Sequence, residues 1–159
     1  LAGSPEGFVR FLIAEELVEI GLDAPEHFLG FFRESYPAFA EAVSLSPGET
    51  YQLAAALRTA HVGLSSREVF AGWEDTHPEL YAEWVDAGER LEPRLGDLSR
   101  DVAAGRTEFA DAAELACSAV KHGLDLPAPF DALDTAAYRE HGADLAVRWA
   151  ARPFEALEG

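Results

Sequence analysis

The stretch Trp73-Glu74-Asp75-Thr76-His77-Pro78-Glu79-Leu80-Tyr81-Ala82-Glu83-Trp84 lies near the middle of the chain and contains a boundary between two predicted helices. Pro78 fits the first turn of a helix, because its missing N–H would have no intrahelical partner there. Glu79 follows in the same turn, where a carboxylate interacts favourably with the helix dipole. Tyr81 and Trp84 begin an apolar face at a spacing of three or four residues. A helix should therefore start at Pro78, with its cap at or before His77.

Similar start and stop signals recur on both sides of this stretch. The segments Ser4-Pro5-Glu6 and Ser46-Pro47-Gly48-Glu49 each combine a serine cap with a proline and an acid in the first turn. Gly21, Gly63 and Gly123 are each followed by a leucine and then by Asp or Ser. This order is typical of a tight corner between two packed helices. We therefore expect one helix to end at Gly63 and a short one to start two or three residues later.

The fold class follows from this pattern. No part of the sequence shows the extended apolar–polar alternation of a strand bounded by turn residues. Helical signals instead continue to a last long helix, for which Asp134 is the expected cap. A chain of 159 residues is long enough for one domain with its own core. The sequence predicts a single all-α domain over residues 1–159, a bundle or orthogonal array of about seven helices.

The charge balance restricts the possible partners. The chain has 29 acids against 12 bases, a net charge of −17, and Lys121 is its only lysine. Such a charge argues against binding to nucleic acid or to an anionic membrane surface, and is compatible with a basic protein partner, a cationic ligand or simple solubility. The single cysteine, Cys117, excludes an internal disulfide, and we expect it in the core. No apolar run reaches the roughly 18 residues of a membrane span, and no signal peptide is visible.

From these features we expect a cytoplasmic protein. The chain begins at Leu1 and contains no methionine. We therefore expect it to be part of a longer product.

The densest group of reactive side chains lies in the opening stretch. Its candidate binding residues are Trp73, Glu74, Asp75, His77, Tyr81 and Trp84. The spacing Glu74-x-x-His77 is that of the carboxylate–histidine pair in di-metal bundles, but Pro78 interrupts the helix face that such a pair needs. One interpretation is a capped amphipathic helix with its aromatic residues in the core. The other is a ligand or partner site with His77 as its polar anchor. We expect no metal ion, cofactor or catalytic group.

Three further candidates lie on other predicted helices. Apolar residues surround most of the helix between Phe8 and Ile20, which predicts a heavily buried element. Glu15 and Glu19 lie on one side of it, either as its solvent-facing strip or as a paired-carboxylate site. His61 continues the apolar face of Leu53 and Leu57 on the helix predicted after Ser46, either as a core histidine with one satisfied nitrogen or as a ligand.

The sequence lacks a phosphate-binding glycine loop, a nucleophile elbow and a zinc-protease motif. Two hypotheses about its function therefore remain. The first is an acidic α-helical interaction module, of an accessory, regulatory or immunity type, that recognises a cationic protein partner. The alternative is a helical small-molecule-binding protein or enzyme with an aromatic pocket and a histidine or carboxylate site. Its candidate lining is Phe28, Phe32, Tyr36, Trp73, Tyr81, Trp84 and Trp149, with His61, His77 or His141. An exposed aromatic patch ringed by acids would favour the first hypothesis, and enclosed aromatics around a histidine the second.

Overall fold

Helices make up the regular structure in a computed structural model, which describes residues 4–22 and 45–141. The α-helices are α1 (Pro5–Leu22), α2 (Pro47–Thr76), α3 (Pro78–Leu91), α4 (Leu98–Ala103) and α5 (Phe109–Val120). Two short 3-10 helices span Glu92–Arg94 and Phe130–Leu133, and residues 136–141 are again helical. No strand occurs in the described ranges. The predicted all-α class is confirmed.

The helix starts that the sequence predicts are confirmed where they depend on local signals. The backbone N–H of Gly7 donates to Ser4 Oγ at 3.1 Å, which caps α1. At the start of α2, the Glu49 N–H donates to Ser46 Oγ at 3.3 Å, and the Ser46 N–H donates to the Glu49 carboxylate at 2.9 Å. This reciprocal capping box satisfies two backbone donors that the helix itself leaves unpaired. Near the other end, Thr135 rather than Asp134 supplies the cap, since the Tyr138 N–H donates to Thr135 Oγ1 at 3.1 Å.

The main core lies between α2 and α5. Small side chains of α5 let the two helices approach closely: Ala112, Ala113, Ala116 and Ala119 are all buried in this cluster. Leu53 and Leu57 of α2 contribute larger aliphatic groups, and both are fully buried. Cys117 lies in the same cluster, as expected, and its burial raises the pKa of its thiol. A neutral thiol in apolar surroundings serves as a small hydrophobic side chain.

Gly63 does not end a helix, so the predicted break and restart are wrong. Helix α2 is continuous over 30 residues and passes through Gly63, which is buried. A Cβ atom at this position would lie 3.1 Å from the backbone nitrogen of Lys121. The glycine is needed for this close approach of two backbones and not for a turn. Of the three predicted corners, only Gly123 shows the left-handed conformation within the described residues, with a φ of 65° at the end of α5.

A second, smaller core joins α1 to the rest. Phe11 of α1 packs with Phe70 and Trp73 of α2, and all three side chains are buried. Tyr81 and Trp84 of α3 are half-buried against this cluster. The contact fixes the orientation of α1 across α2 and α3.

The prediction that α1 is buried on most sides is wrong. Large aliphatic side chains line its outer face: Val9, Leu12, Ile13, Leu17 and Ile20 are 41% to 67% exposed. Glu15, by contrast, is 7% exposed. No helix within the described ranges is both long and apolar enough to cross a membrane.

Alanine substitutions at two glycines of α2 test the close approach of the Gly63 and Lys121 backbones. Gly72 faces open space, so Gly72→Ala should raise the free energy of unfolding by about 0.5–1 kcal/mol through helix propensity. Gly63→Ala gains the same propensity but places its methyl group against the Lys121 backbone, so its free energy of unfolding should fall below that of the unsubstituted chain. Urea denaturation of both variants measures the difference. Equal gains would contradict the packing role of Gly63.

Candidate functional site

The opening stretch forms the predicted helix boundary. His77 is at once the C-cap of α2 and the N-cap of α3, with a φ of −141°, and α3 starts at Pro78. The His77 side chain makes no capping hydrogen bond to α3. It is exposed, and its Nδ1 lies 3.0 Å from Thr76 Oγ1. The boundary is therefore made by the backbone and by proline, and the imidazole faces solvent.

The three aromatic residues of this stretch, Trp73, Tyr81 and Trp84, come together in the second core, but its polar candidate residues remain exposed. The Trp73 ring packs into the second core, 4.9 Å from the Phe70 ring between centroids. The Trp84 ring lies 6.3 Å from Phe70 on the other side. Glu74 and Asp75 are exposed beside His77. The geometry is that of the first interpretation, an amphipathic helix boundary with aromatics inside and polar groups in water.

Glu15 is not part of a solvent-facing strip. Its Oε1 accepts a hydrogen bond from Lys121 Nζ at 2.7 Å, and the two side chains are only 9% and 16% exposed. Glu19, one turn further along α1, is half-buried. Burial raises the pKa of Glu19, and Glu15 adds to this effect, while Lys121 opposes it. The two predicted carboxylates therefore share the electrostatic environment of the only lysine of the chain.

His61 makes structural contacts at a different place. Its Nε2 lies 3.0 Å from the backbone oxygen of Arg139, and its ring meets Tyr138 edge to face at 5.8 Å. The Tyr138 hydroxyl in turn donates to the backbone oxygen of Leu57. This geometry agrees with the interpretation of His61 as a packed histidine with one satisfied nitrogen. It joins α2 to the helical residues that follow the second 3-10 helix.

A cleft of about 340 Å³ opens where α1, α3 and the end of α5 meet, and we call it the α1–α3–α5 cleft. Its apolar lining is Phe8, Phe11, Leu12, Ala87 and Leu91. Its polar lining is Glu15, Arg90, Arg94, Ser118, Lys121 and His122. A larger cavity of about 580 Å³ between the starts of α1 and α3 has no aromatic side chain in its lining. The smaller cleft therefore combines an apolar wall with partly buried charges. This combination is more typical of a small-molecule-binding site than the lining of the larger cavity.

Contacts from α3 position Lys121 and His122 on the inner wall of the cleft. Trp84 Nε1 donates to the Lys121 backbone oxygen at 3.1 Å, and the Trp84 ring stacks on His122 at 5.8 Å. Gly88 makes room for the imidazole, since a Cβ there would lie 3.3 Å from His122 Nδ1. Burial and then the charge of Lys121 lower the pKa of His122 to about 4. The ring is therefore neutral at pH 7, and the positive charge of this wall comes from Lys121.

Bases outnumber acids in the lining of the cleft, unlike in the chain as a whole. Three of the 12 bases but only one of the 29 acids line it. Arg90 pairs with Asp86 at 2.9 Å and lies over the Phe8 ring at 5.6 Å. Arg94 is exposed. Such a lining can hold an anion beside an apolar surface.

The sequence predictions include Glu15 of this cleft but miss Arg90, Arg94, Lys121 and His122. These residues form two sequence-local pairs, Arg90 with Arg94 and Lys121 with His122, on separate segments of the chain, and only the rarity of lysine distinguished one of them. Within the described residues, no three His, Cys, Asp or Glu side chains are grouped so that they could hold a metal ion.

The buried ion pair gives a stability prediction. Lys121→Met should lower the free energy of unfolding by about 3 kcal/mol, because it leaves the Glu15 charge buried and unpaired. Adding Glu15→Leu should restore most of this loss, since the double variant buries no charge. Arg100→Met is the matched control: it breaks an exposed pair with Asp97 and should cost at most about 1 kcal/mol. Thermal and urea unfolding measure the stability of the two single variants and of the double variant. A double variant no more stable than Lys121→Met would contradict the pairing of Glu15 with Lys121.

The opening stretch gives a second prediction. Trp84→Ala should lower the free energy of unfolding by about 3 kcal/mol, because it removes a packed ring and leaves a cavity. His77→Ala should change it by less than about 0.5 kcal/mol, because the imidazole is exposed. Urea denaturation compares the two. A large loss for His77→Ala would show that its side chain supports the helix boundary.

Comparisons with known proteins complete this description. No curated protein and no solved structure matches the chain. A protein-family model matches residues 1–157. The chain therefore belongs to a family of unknown function, DUF7089.

Proposed function

We propose that the chain is an acidic α-helical interaction module, of an accessory, regulatory or immunity type, that recognises a cationic protein partner. Its docking surface is the outer face of α1. The observation that carries the proposal is the row of exposed aliphatic side chains on this helix: Val9, Leu12, Ile13, Leu17 and Ile20. We call this row the α1 stripe.

The α1 stripe has the spacing of a helix contact. Successive members are one, three or four residues apart along α1, so they form one continuous, broad face. Ile13, Leu17 and Ile20 are 58%, 66% and 67% exposed. Continuous exposed apolar surface of this kind is typical of interaction sites, whereas isolated exposed aliphatic residues are ordinary. An amphipathic helix of a partner fits such a stripe by side-chain interdigitation.

The negative charge of the chain indicates that the docking surface of its partner is positively charged. With a net charge of −17, the chain attracts a basic protein and repels an acidic one at long range. Glu6 and Glu16 are exposed on α1. Arg10 pairs with Glu6 at 2.8 Å, so of these two acids Glu16 is the one with no ion pair within the described residues. Carboxylates beside an apolar row favour lysine and arginine at the rim of the partner. The proposal takes the cytoplasm as the compartment, where a single thiol stays reduced.

A pair of synthetic peptides tests the proposal. One is an 18-residue amphipathic helix with leucine on one face and lysine on the other, and the second has glutamate in place of each lysine. Calorimetry should show binding of the lysine peptide alone. The affinity should fall as added salt shortens the Debye length from about 10 Å to about 3 Å. Equal binding of both peptides would contradict the charge argument.

Substitutions locate the docking surface. Leu17→Ser should weaken binding of the lysine peptide about tenfold or more, because it removes a leucine-sized apolar contact. Val69→Ser, at an exposed aliphatic residue of α2, should leave the affinity unchanged. A drop of several degrees in the melting temperature of Leu17→Ser would show that the chain itself covers the stripe, and would overturn the proposal. If the unsubstituted chain self-associates and Leu17→Ser does not, the stripe binds a second copy of the chain instead of a basic partner.

A further inference from the structure

We infer that the α1–α3–α5 cleft binds a small monoanion with an apolar body, of the class of medium-chain or aromatic carboxylates. This goes beyond the proposed docking function, because it concerns a cleft that shares only Leu12 with the α1 stripe and a ligand of opposite charge. It rests on the three cations of the lining, on the hydrogen-bond capacity of Lys121 and on the apolar wall beside them.

The cation content of the cleft is the first argument. Arg90, Arg94 and Lys121 line the cleft with one carboxylate, Glu15, although acids outnumber bases by 29 to 12 in the chain. Lys121 pairs with Glu15 and Arg90 pairs with Asp86, so within the described residues Arg94 is the cation of the lining that has no acidic partner. The charges nearest to a bound group dominate its interaction energy, because repulsion from distant surface acids is screened over about 10 Å at ordinary ionic strength. An anion in the cleft is therefore attracted locally by Arg94 and by the N–H donors of Lys121 that Glu15 does not use, even though the whole chain is strongly acidic.

Lys121 supplies the second argument. An ammonium group carries three N–H donors, and the contact with Glu15 uses one of them. The Lys121 side chain is only 16% exposed, so water reaches it poorly. Among the described residues, no other side-chain hydrogen bond of Lys121 is present. A ligand carboxylate would accept from a partly desolvated donor, which makes a strong, charge-assisted hydrogen bond.

The wall of the cleft determines the rest of the ligand. Phe8, Phe11 and Leu12 line one side, and Leu91 lies opposite on α3. The Arg90 guanidinium covers the Phe8 ring at 5.6 Å, so charge and apolar surface are contiguous. The volume of about 340 Å³ lies at the lower end of the range for small-molecule sites. A fully hydrated inorganic anion would leave this apolar wall unused, which is why the ligand needs an apolar body.

Sodium octanoate is a suitable probe, with 1-octanol and octylammonium chloride as neutral and cationic counterparts of the same chain length. Calorimetry on the full chain at physiological ionic strength should show binding of octanoate in the millimolar range or tighter, and much weaker binding of the other two. The indole N–H signal of Trp84 should shift on titration, because this group donates to the Lys121 backbone at the cleft wall. Its assignment follows from Trp84→Phe.

Arg94→Gln is the test variant, because Arg94 is exposed and lines the cleft, so its replacement should not disturb folding. We expect octanoate affinity to fall about tenfold. Arg100→Gln is the matched control: it removes the same charge from an exposed arginine outside the cleft lining and should leave the affinity unchanged.

Three results would overturn the inference. Absence of octanoate binding would exclude the site for this ligand class. Equal binding of 1-octanol would show an apolar contact without anion recognition. Equal losses in Arg94→Gln and Arg100→Gln would show an effect of net charge rather than of the cleft.

Discussion

The approach of Lys121 to three other helices is the constraint on which the rest of the structure depends. Its backbone nitrogen packs against Gly63 of α2, its backbone oxygen accepts the Trp84 indole of α3, and its ammonium holds Glu15 of α1. One residue at the end of α5 thus fixes the positions of α1, α2 and α3. A buried ion pair contributes little net stability compared with apolar packing, but breaking it is costly. Its effect is therefore to favour one arrangement over others.

The rotation of α1 about its own axis follows from this constraint. Successive helix residues differ by about 100°, so Glu15 shares its face with Phe8, Phe11 and Val18. Directing Glu15 inward to Lys121 carries these apolar residues into the second core and turns the α1 stripe outward. A helix with apolar residues on nearly all sides is compatible with several orientations. The ion pair and Phe11 together select the observed one.

Local signals explain which features of the fold could be predicted. The capping box of Ser46 and Glu49 and the proline at the start of α3 act within one helical turn, so the sequence alone specifies them. Gly63 has two possible roles, the end of a helix or a close backbone contact, and only its neighbour across the interface distinguishes them. That neighbour, Lys121, is distant in the sequence. The same holds for Glu15, whose inward orientation depends on a partner 106 residues away.

The candidate site was hard to predict because helix geometry separates adjacent residues. Trp73, Glu74 and Asp75 are consecutive, yet only Trp73 is buried. A dense group of reactive residues in a helical sequence is therefore spread around an axis, whereas a site collects single residues from several helices. In this chain the informative residues are the scarce bases rather than the abundant acids. Arg10, Arg90 and Arg100 pair with acids three or four residues away, where exposed pairs contribute little. Lys121 pairs across the fold instead, and its partly desolvated charge gives the cleft a polarity that the overall composition does not indicate.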